Sequence, residues 1–152
     1  MPSRVNGAAF SRQFFGRLVS SLLAHDTIRL PFVMSTPGIA RTRLAAFLTV
    51  HGASSDTIDD ALIVISEMIA NAVCHGVPTE DGTIEISWSI NGDLLELSVH
   101  DAGRGASLKP VDFDEDSLSG RGLSIINRVA DRWWVDMSAG TKVNAELALS
   151  AR

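Results

Sequence analysis

Two segments of alternating hydrophobicity, joined by Asn91-Gly92, constrain the fold of this chain more than any other feature. Alternation with a period of two residues is typical of strands that bury one face, and Asn-Gly favours the tight turn of a β-hairpin. One face of the pair is apolar throughout: Ile84, Ile86, Trp88 and Ile90, then Leu95, Leu97 and Val99. The sequence therefore predicts an antiparallel hairpin with one covered face.

Helices and further strands surround this hairpin. Ser35-Thr36-Pro37 and Ser54-Ser55-Asp56 are typical helix starts, and Gly76 is a typical helix stop. The predicted helices cover residues 35–52, 54–75 and 122–132, and the other predicted strands cover 27–33, 133–137 and 142–149. Pro31 places the first strand at a sheet edge. The sum predicts an α+β fold, a two-layer α/β sandwich whose mostly antiparallel sheet is covered on one face by helices.

The length of 152 residues suits one domain. We expect an N-terminal helical extension in residues 1–26, with Phe14, Leu18 and Leu22 on one helical face, and the main domain in residues 27–152. Arg12 and Arg17 interrupt the apolar core that a secretory signal needs. The extension is therefore predicted to pack on the domain or on a partner.

Charge and cysteine content exclude several classes of protein. A net charge of -5 gives no overall attraction to nucleic acid or to anionic membrane. The single cysteine, Cys74, permits no internal disulfide, and no apolar run is long enough to cross a bilayer. We expect a cytoplasmic protein that binds neither nucleic acid nor membrane directly.

A polar stripe marks the helix predicted for residues 54–75. Glu67, Asn71 and His75 fall within about 80° of one another at helical spacing. The stripe is either the wet face of a surface helix or the wall of a cleft, and Val64 and Cys74 beside it favour the cleft. An Asn oxygen suits Mg²⁺, and a Glu one turn earlier can act as a general base. His75 is interpreted as a residue that caps the helix end.

Two glycine-rich segments follow. Asp101-Ala102-Gly103-Arg104-Gly105 closes a predicted strand, where a carboxylate can accept the amine of adenine, although a plain Asp-Gly turn is the alternative. Gly120-Arg121-Gly122 opens a predicted helix, whose free N–H groups and dipole favour phosphate, with an ordinary hinge as the alternative. Thr141 begins the last strand and offers a hydroxyl to the base end of such a pocket.

Together these residues resemble the GHKL ATPase superfamily, whose adenine-binding sandwich is the Bergerat fold. Residues 67–71 resemble its N box, residues 101–105 its G1 box and residues 120–123 its G2 box. Within the superfamily the chain looks most like the small anti-sigma-factor serine kinases, on residues 66–73, 120–126 and 130–133.

The resemblance implies ATP and Mg²⁺ as cofactors, Glu67 as the catalytic base and Asn71 as the metal ligand. It implies the following ATP-binding residues: Asn71, Asp101, Gly103, Gly105, Gly120, Gly122 and Thr141. The implied activity is that of a serine/threonine protein kinase that phosphorylates a STAS-domain anti-anti-sigma protein, sequesters a sigma factor as a homodimer, or does both.

Two alternatives stay open. The first is an ATP-gated regulatory binding module without kinase activity. It is favoured by the long N-terminal extension and by the acidic lid in residues 106–119, which shifts phosphate contacts towards backbone N–H groups and Mg²⁺. The second is a detached histidine-kinase catalytic domain. It is disfavoured because the four histidines occupy edge or strand contexts: His25, His51, His75 and His100.

Overall fold

The computed structural model describes residues 24–103 and 118–149. In these ranges the strands are β1 His25–Pro31, β2 Thr83–Asn91, β3 Leu94–Asp101, β4 Arg132–Asp136 and β5 Thr141–Ala148. The helices are α1 Thr36–Val50, α2 Ser55–His75 and α3 Leu118–Val129. The five strands form one sheet in the order β1-β2-β3-β5-β4, and every neighbouring pair is antiparallel. The predicted α+β two-layer sandwich is confirmed.

The core lies between the sheet and the helices, where the alternating residues of the hairpin point. The inward side chains of β2 and β3 are almost inaccessible: Ile84, Ile86, Trp88, Leu95, Leu97 and Val99. They meet Leu44 and Leu48 of α1, Ile65 and Ile69 of α2, and Ile126 of α3. Burial of one such side chain contributes about 1.5–3 kcal/mol, so the hairpin pattern accounts for much of the attraction between the two layers.

Helix α2 has the ends that its sequence predicts. Ser54 accepts a hydrogen bond from the backbone N–H of Thr57 at 3.2 Å, which satisfies one free donor of the first turn. Gly76 ends the helix, and its N–H donates to the carbonyl of Ala72 at 2.7 Å. The helix is therefore held at both ends, with Glu67 and Asn71 in its second half.

Several boundaries differ from the sequence prediction. Strand β1 begins at His25, inside the predicted extension, because its pairing with β2 starts at His25 opposite Ser89. It ends at Pro31, two residues before the predicted end, and lies at a sheet edge, as predicted. Helix α3 begins at Leu118, four residues earlier than predicted, and includes Gly120 and Gly122 despite the low helix propensity of glycine. Strand β4 also begins one residue earlier, at Arg132.

Other predictions fall outside the described residues. These are the helix of the extension up to residue 23, Gly105, and the acidic part of the lid before residue 118. Among the helices that the structure describes, none is long and apolar enough to span a bilayer.

Candidate functional site

The arrangement of the helices decides which way the polar stripe of α2 points. Helix α2 lies between α1 and α3. On the α1 side, Arg41 donates from Nη1 to Ser66 Oγ at 3.2 Å. Glu67 and Asn71 lie about 100–140° around the helix from Ser66. They therefore lie on the flank of α2 that faces α3.

This flank borders the core rather than lying opposite to it. Glu67 and Asn71 are half-buried, while His75 is exposed in the last turn of the helix. Of the two residues that flank the stripe, Val64 is fully buried and Cys74 is exposed. The stripe is therefore half-buried along its inner part and solvent-exposed at its end.

Asn71 carries the clearest sign of a ligand site on this helix. Its Nδ2 atom is inaccessible to solvent and has no hydrogen-bond partner among the described residues. A buried donor without a partner costs about 1–3 kcal/mol, and most buried polar groups are paired. An amide that is kept here despite that cost is typical of a residue that serves binding.

Asp101 lies at the end of β3 on the face that the helices cover, because it alternates with Leu97 and Val99. Its side chain is 2% exposed. Burial raises the pKa of this carboxyl above its ordinary value, and hydrogen bonds from the N–H groups of Gly103 and Val77 oppose the rise. These bonds both reach Oδ1, at 2.7 Å and 3.3 Å. No described residue donates to Oδ2, which is therefore available to a ligand.

The end of α2 meets Asp101 directly. Val77 follows the helix, and its N–H reaches Asp101 Oδ1 while its carbonyl accepts from the N–H of Ala102 at 2.8 Å. Gly76 packs against the carboxyl group itself. From the sequence, Gly76 is predicted only as a helix stop, and Val77 is not predicted to belong to the site. A glycine directly after a helix is a common sequence signal, and nothing in it indicates this contact.

Thr141 lies opposite Asp101 in the register of β3 and β5. Its side chain is 1% exposed, and its hydroxyl donates to the carbonyl of Gly103 at 2.8 Å. Gly140 precedes it with φ 75°, where its backbone packs on the carbonyl of Asp101. A side chain would be strained and crowded there. Thr141 thus fixes the turn after Asp101, at the end of the site where the sequence predicts it.

The glycines expected to bind phosphate lie in α3. Because the helix begins at Leu118, Gly120 is in its first turn, where backbone N–H groups lack partners within the helix. Gly122 is one residue beyond the four free donors of the first turn. Gly105 lies outside the described residues. The structure brings together Asp101, Gly103 and Thr141. The phosphate-binding roles of Gly120 and Gly122 stay predictions.

The described residues hold no cluster of three carboxylate, histidine or cysteine side chains that could bind a metal by itself. A cation beside Asn71 would need most of its ligands from water and from a phosphorylated ligand, which is how Mg²⁺ usually binds. A surface cavity of about 410 Å³ also opens at the end of β3, but Arg29, Glu85 and His100 of the outer sheet face line it. Asp101, Ala102 and Gly140 also line this cavity.

These features define a class of protein: a two-layer α/β sandwich in which the end of a polar helix contacts a buried carboxylate at a strand end. A family model described as a histidine kinase-like ATPase domain matches residues 35–147. The chain belongs to this family, which uses ATP, and the expected resemblance is confirmed.

Curated relatives narrow the similarity within the family. The chain is 32% identical over 121 residues to the serine-protein kinase RsbW of Listeria monocytogenes, which covers 70% of this chain and 77% of the relative. It is 31% identical over 114 residues to the anti-sigma F factor of Clostridium beijerinckii, which covers 68% of this chain and 80% of the relative. Its similarity is thus to bacterial partner-switching kinases and anti-sigma factors.

Two solved structures share the fold. One contains the RsbU and RsbW domains of Rv1364c from Mycobacterium tuberculosis, with a TM-score of 0.65 and 24% identity. The match covers 84% of this chain and 33% of that longer chain. The other is the SiaB-SiaC complex from Pseudomonas aeruginosa, with a TM-score of 0.60, 15% identity and coverage of 93% and 100%.

Proposed function

We propose that this chain is an ATP-dependent serine/threonine protein kinase of the partner-switching type. The observation that carries the proposal is the buried carboxylate of Asp101, whose Oδ1 is held by two backbone N–H groups while Oδ2 stays open. The serine-protein kinase name of the Listeria relative supports the phosphotransfer activity.

Asp101 recognises the base in this proposal. Its Oδ2 accepts a hydrogen bond from the exocyclic amine of adenine. Guanine carries a carbonyl at that position, and a buried carboxylate facing a carbonyl would lose the bond and be repelled. Gly103 leaves room for the flat base, and Thr141 holds the carbonyl of Gly103 in place.

Asn71 binds the metal through its side-chain oxygen in this proposal, and its buried Nδ2, which is a donor, would donate to a phosphate oxygen of the nucleotide. Magnesium neutralises phosphate charge and positions the terminal phosphate for transfer. The first turn of α3 adds free N–H groups and the positive end of its dipole near Gly120. We propose that Gly122 and Gly105, which have no side chains, allow the backbone to approach the nucleotide closely, as the resemblance to the GHKL superfamily implies.

Glu67 is the proposed catalytic base. It lies one helical turn before Asn71, about 6 Å along the axis, so it faces the reacting end of a nucleotide whose metal lies at Asn71. The serine Oγ of the partner attacks the γ-phosphorus, the bond from that phosphorus to the β-phosphate oxygen breaks, and the serine proton passes to Glu67. The products are phosphoserine and ADP.

The proposed partners follow the relatives. An anti-sigma F factor is among them, and we propose a STAS-domain anti-anti-sigma protein as the phosphate acceptor and a sigma factor as the sequestered partner. We further propose a homodimer in the cytoplasm, with residues 27–152 as the catalytic domain and residues 1–26 as an added segment. Size-exclusion chromatography with light scattering tests the dimer.

A transfer assay tests the activity. The protein is incubated with labelled ATP, Mg²⁺ and a candidate STAS-domain protein, and wild type is compared with Glu67→Gln. The control is Glu96→Gln, the same exchange on the outer face of the sheet, where Glu96 pairs with Ser89 of β2. We expect label on a partner serine with wild type and Glu96→Gln, and at least a hundredfold less with Glu67→Gln.

Two other results have distinct meanings. Undiminished transfer by Glu67→Gln would exclude Glu67 as the base. Tight binding of ATP without transfer to any of several candidate partners would instead support the ATP-gated binding module.

A further inference from the structure

The reason for a glycine at position 76 is not its backbone conformation. Gly76 has φ −88° and ψ −169°, which is extended backbone that any residue adopts. Among the described glycines, several others have positive φ, where a side chain would be strained. The requirement for glycine at position 76 must therefore come from its surroundings.

Those surroundings are the carboxyl group of Asp101. A Cβ atom added to Gly76 would lie 2.6 Å from Asp101 Cγ and 2.7 Å from Asp101 Oδ2. It would also lie 2.6 Å from the carbonyl oxygen of Ala72. All three distances are shorter than carbon and oxygen atoms tolerate without displacement. The Oδ2 atom near this position is the one left open for a ligand.

The carboxyl group has little freedom to move aside. Its Oδ1 accepts from the N–H of Gly103 on one side and from that of Val77 on the other. Rotation of the group to clear a methyl group would break one or both of these bonds. The carboxyl group would instead have to shift away from α2, towards the space where the base would lie.

We propose that Gly76 is a positioning residue that sets how far the Asp101 carboxylate reaches into the nucleotide site, and thereby determines the preference for adenine. The inference rests on the proposed function, because it assumes that Asp101 binds the base. It also makes the end of α2 a fixed link between Asp101 and the helix that carries Asn71. The same backbone then fixes the distance between Asp101, which recognises the base, and Asn71, which binds the metal.

The test compares two nucleotides that differ at the recognised group. Inosine triphosphate carries a carbonyl where ATP carries the amine. Isothermal titration calorimetry measures both affinities for wild type and Gly76→Ala. The matched control is Gly38→Ala in the first turn of α1, where an added Cβ has its nearest neighbour at 3.7 Å, the end of the flexible Arg41 side chain.

We expect wild type and Gly38→Ala to bind ATP at least tenfold more tightly than inosine triphosphate. In Gly76→Ala the ATP affinity should fall at least tenfold, while the affinity for inosine triphosphate changes less than threefold. An equal loss for both nucleotides, or no loss for ATP, would overturn the inference. Wild-type protein that fails to bind ATP, or does not prefer it, would overturn the proposed function instead.

A stability cycle covers the case in which Gly76→Ala folds poorly. Asp101→Ala removes the carboxyl group and makes room for the methyl group. Urea unfolding is measured for wild type, each single variant and the double variant. If Gly76 acts through Asp101, the loss caused by Gly76→Ala is smaller in the Asp101→Ala background. The same loss in both backgrounds would assign the crowding to Ala72 and overturn the inference.

Discussion

Replacement of Asp101 by asparagine should lower the affinity for ATP without lowering the free energy of unfolding, and so it separates the binding role of this carboxyl group from its effect on stability. The carboxyl group is 2% exposed, and burial raises its pKa despite two hydrogen bonds. The raised pKa means that folding favours a neutral group at this position. Asn has the same shape and keeps an oxygen for the N–H groups of Gly103 and Val77. We therefore expect the free energy of unfolding of Asp101→Asn at pH 7 to equal or exceed that of wild type.

Nucleotide affinity should fall in the same variant. A hydrogen bond to a charged acceptor contributes about 1.5–3 kcal/mol, and the amide of Asn would present a donor to the donor of adenine. At about 1.4 kcal/mol per factor of ten, the expected loss of ATP affinity is roughly tenfold to a hundredfold. Calorimetric titration with ATP measures it. Asp93→Asn, in the exposed turn at the other end of β3, is the control and should bind like wild type.

The pH dependence of stability tests whether burial disfavours the charged form of Asp101. A carboxyl group whose pKa is raised in the folded state binds more protons there than in the unfolded chain. Its contribution to stability is therefore full below its ordinary value of 3.8 and is lost as pH rises through the raised pKa. The gain in stability of Asp101→Asn over wild type should thus grow between pH 4 and pH 7. A variant that loses stability along with affinity, or that binds ATP within threefold of wild type, would refute this account.

Three further predictions concern Asn71, Thr141 and Ser54. In wild type we expect Mg²⁺ to raise ATP affinity at least tenfold, and Asn71→Ala should remove this effect, which titrations with and without Mg²⁺ measure. The same variant should not lower the free energy of unfolding in urea, because the buried Nδ2 already lacks a partner. Thr141→Val should cost about 1–3 kcal/mol in urea unfolding, since it leaves the carbonyl of Gly103 without its donor, whereas Thr141→Ser should cost less because it keeps the hydroxyl. Ser54→Ala should cost about 1 kcal/mol through the lost helix cap, with ATP affinity unchanged at the far end of α2.

The local signals in the sequence predicted most of the fold. The alternation in β2 and β3 with Asn91-Gly92 between them predicts a hairpin with one covered face, and the structure pairs these strands as expected. Ser54 and Gly76 predict the ends of α2 because capping depends on residues close in sequence. The start of α3 was missed because Gly120-Arg121-Gly122 was interpreted as the opening of the helix, whereas the helix includes both glycines.

The sequence by itself determined the sandwich fold, the helix that carries Glu67 and Asn71, and the strand end that carries Asp101. Each depends on periodicity or on side-chain chemistry within a few residues. Only the tertiary structure decided that the end of α2 contacts Asp101. This contact requires a glycine at position 76, because a side chain there would collide with the carboxyl group. Contacts between residues 25 positions apart depend on how the layers pack, and a glycine used for close packing has the same sequence signal as one that ends a helix.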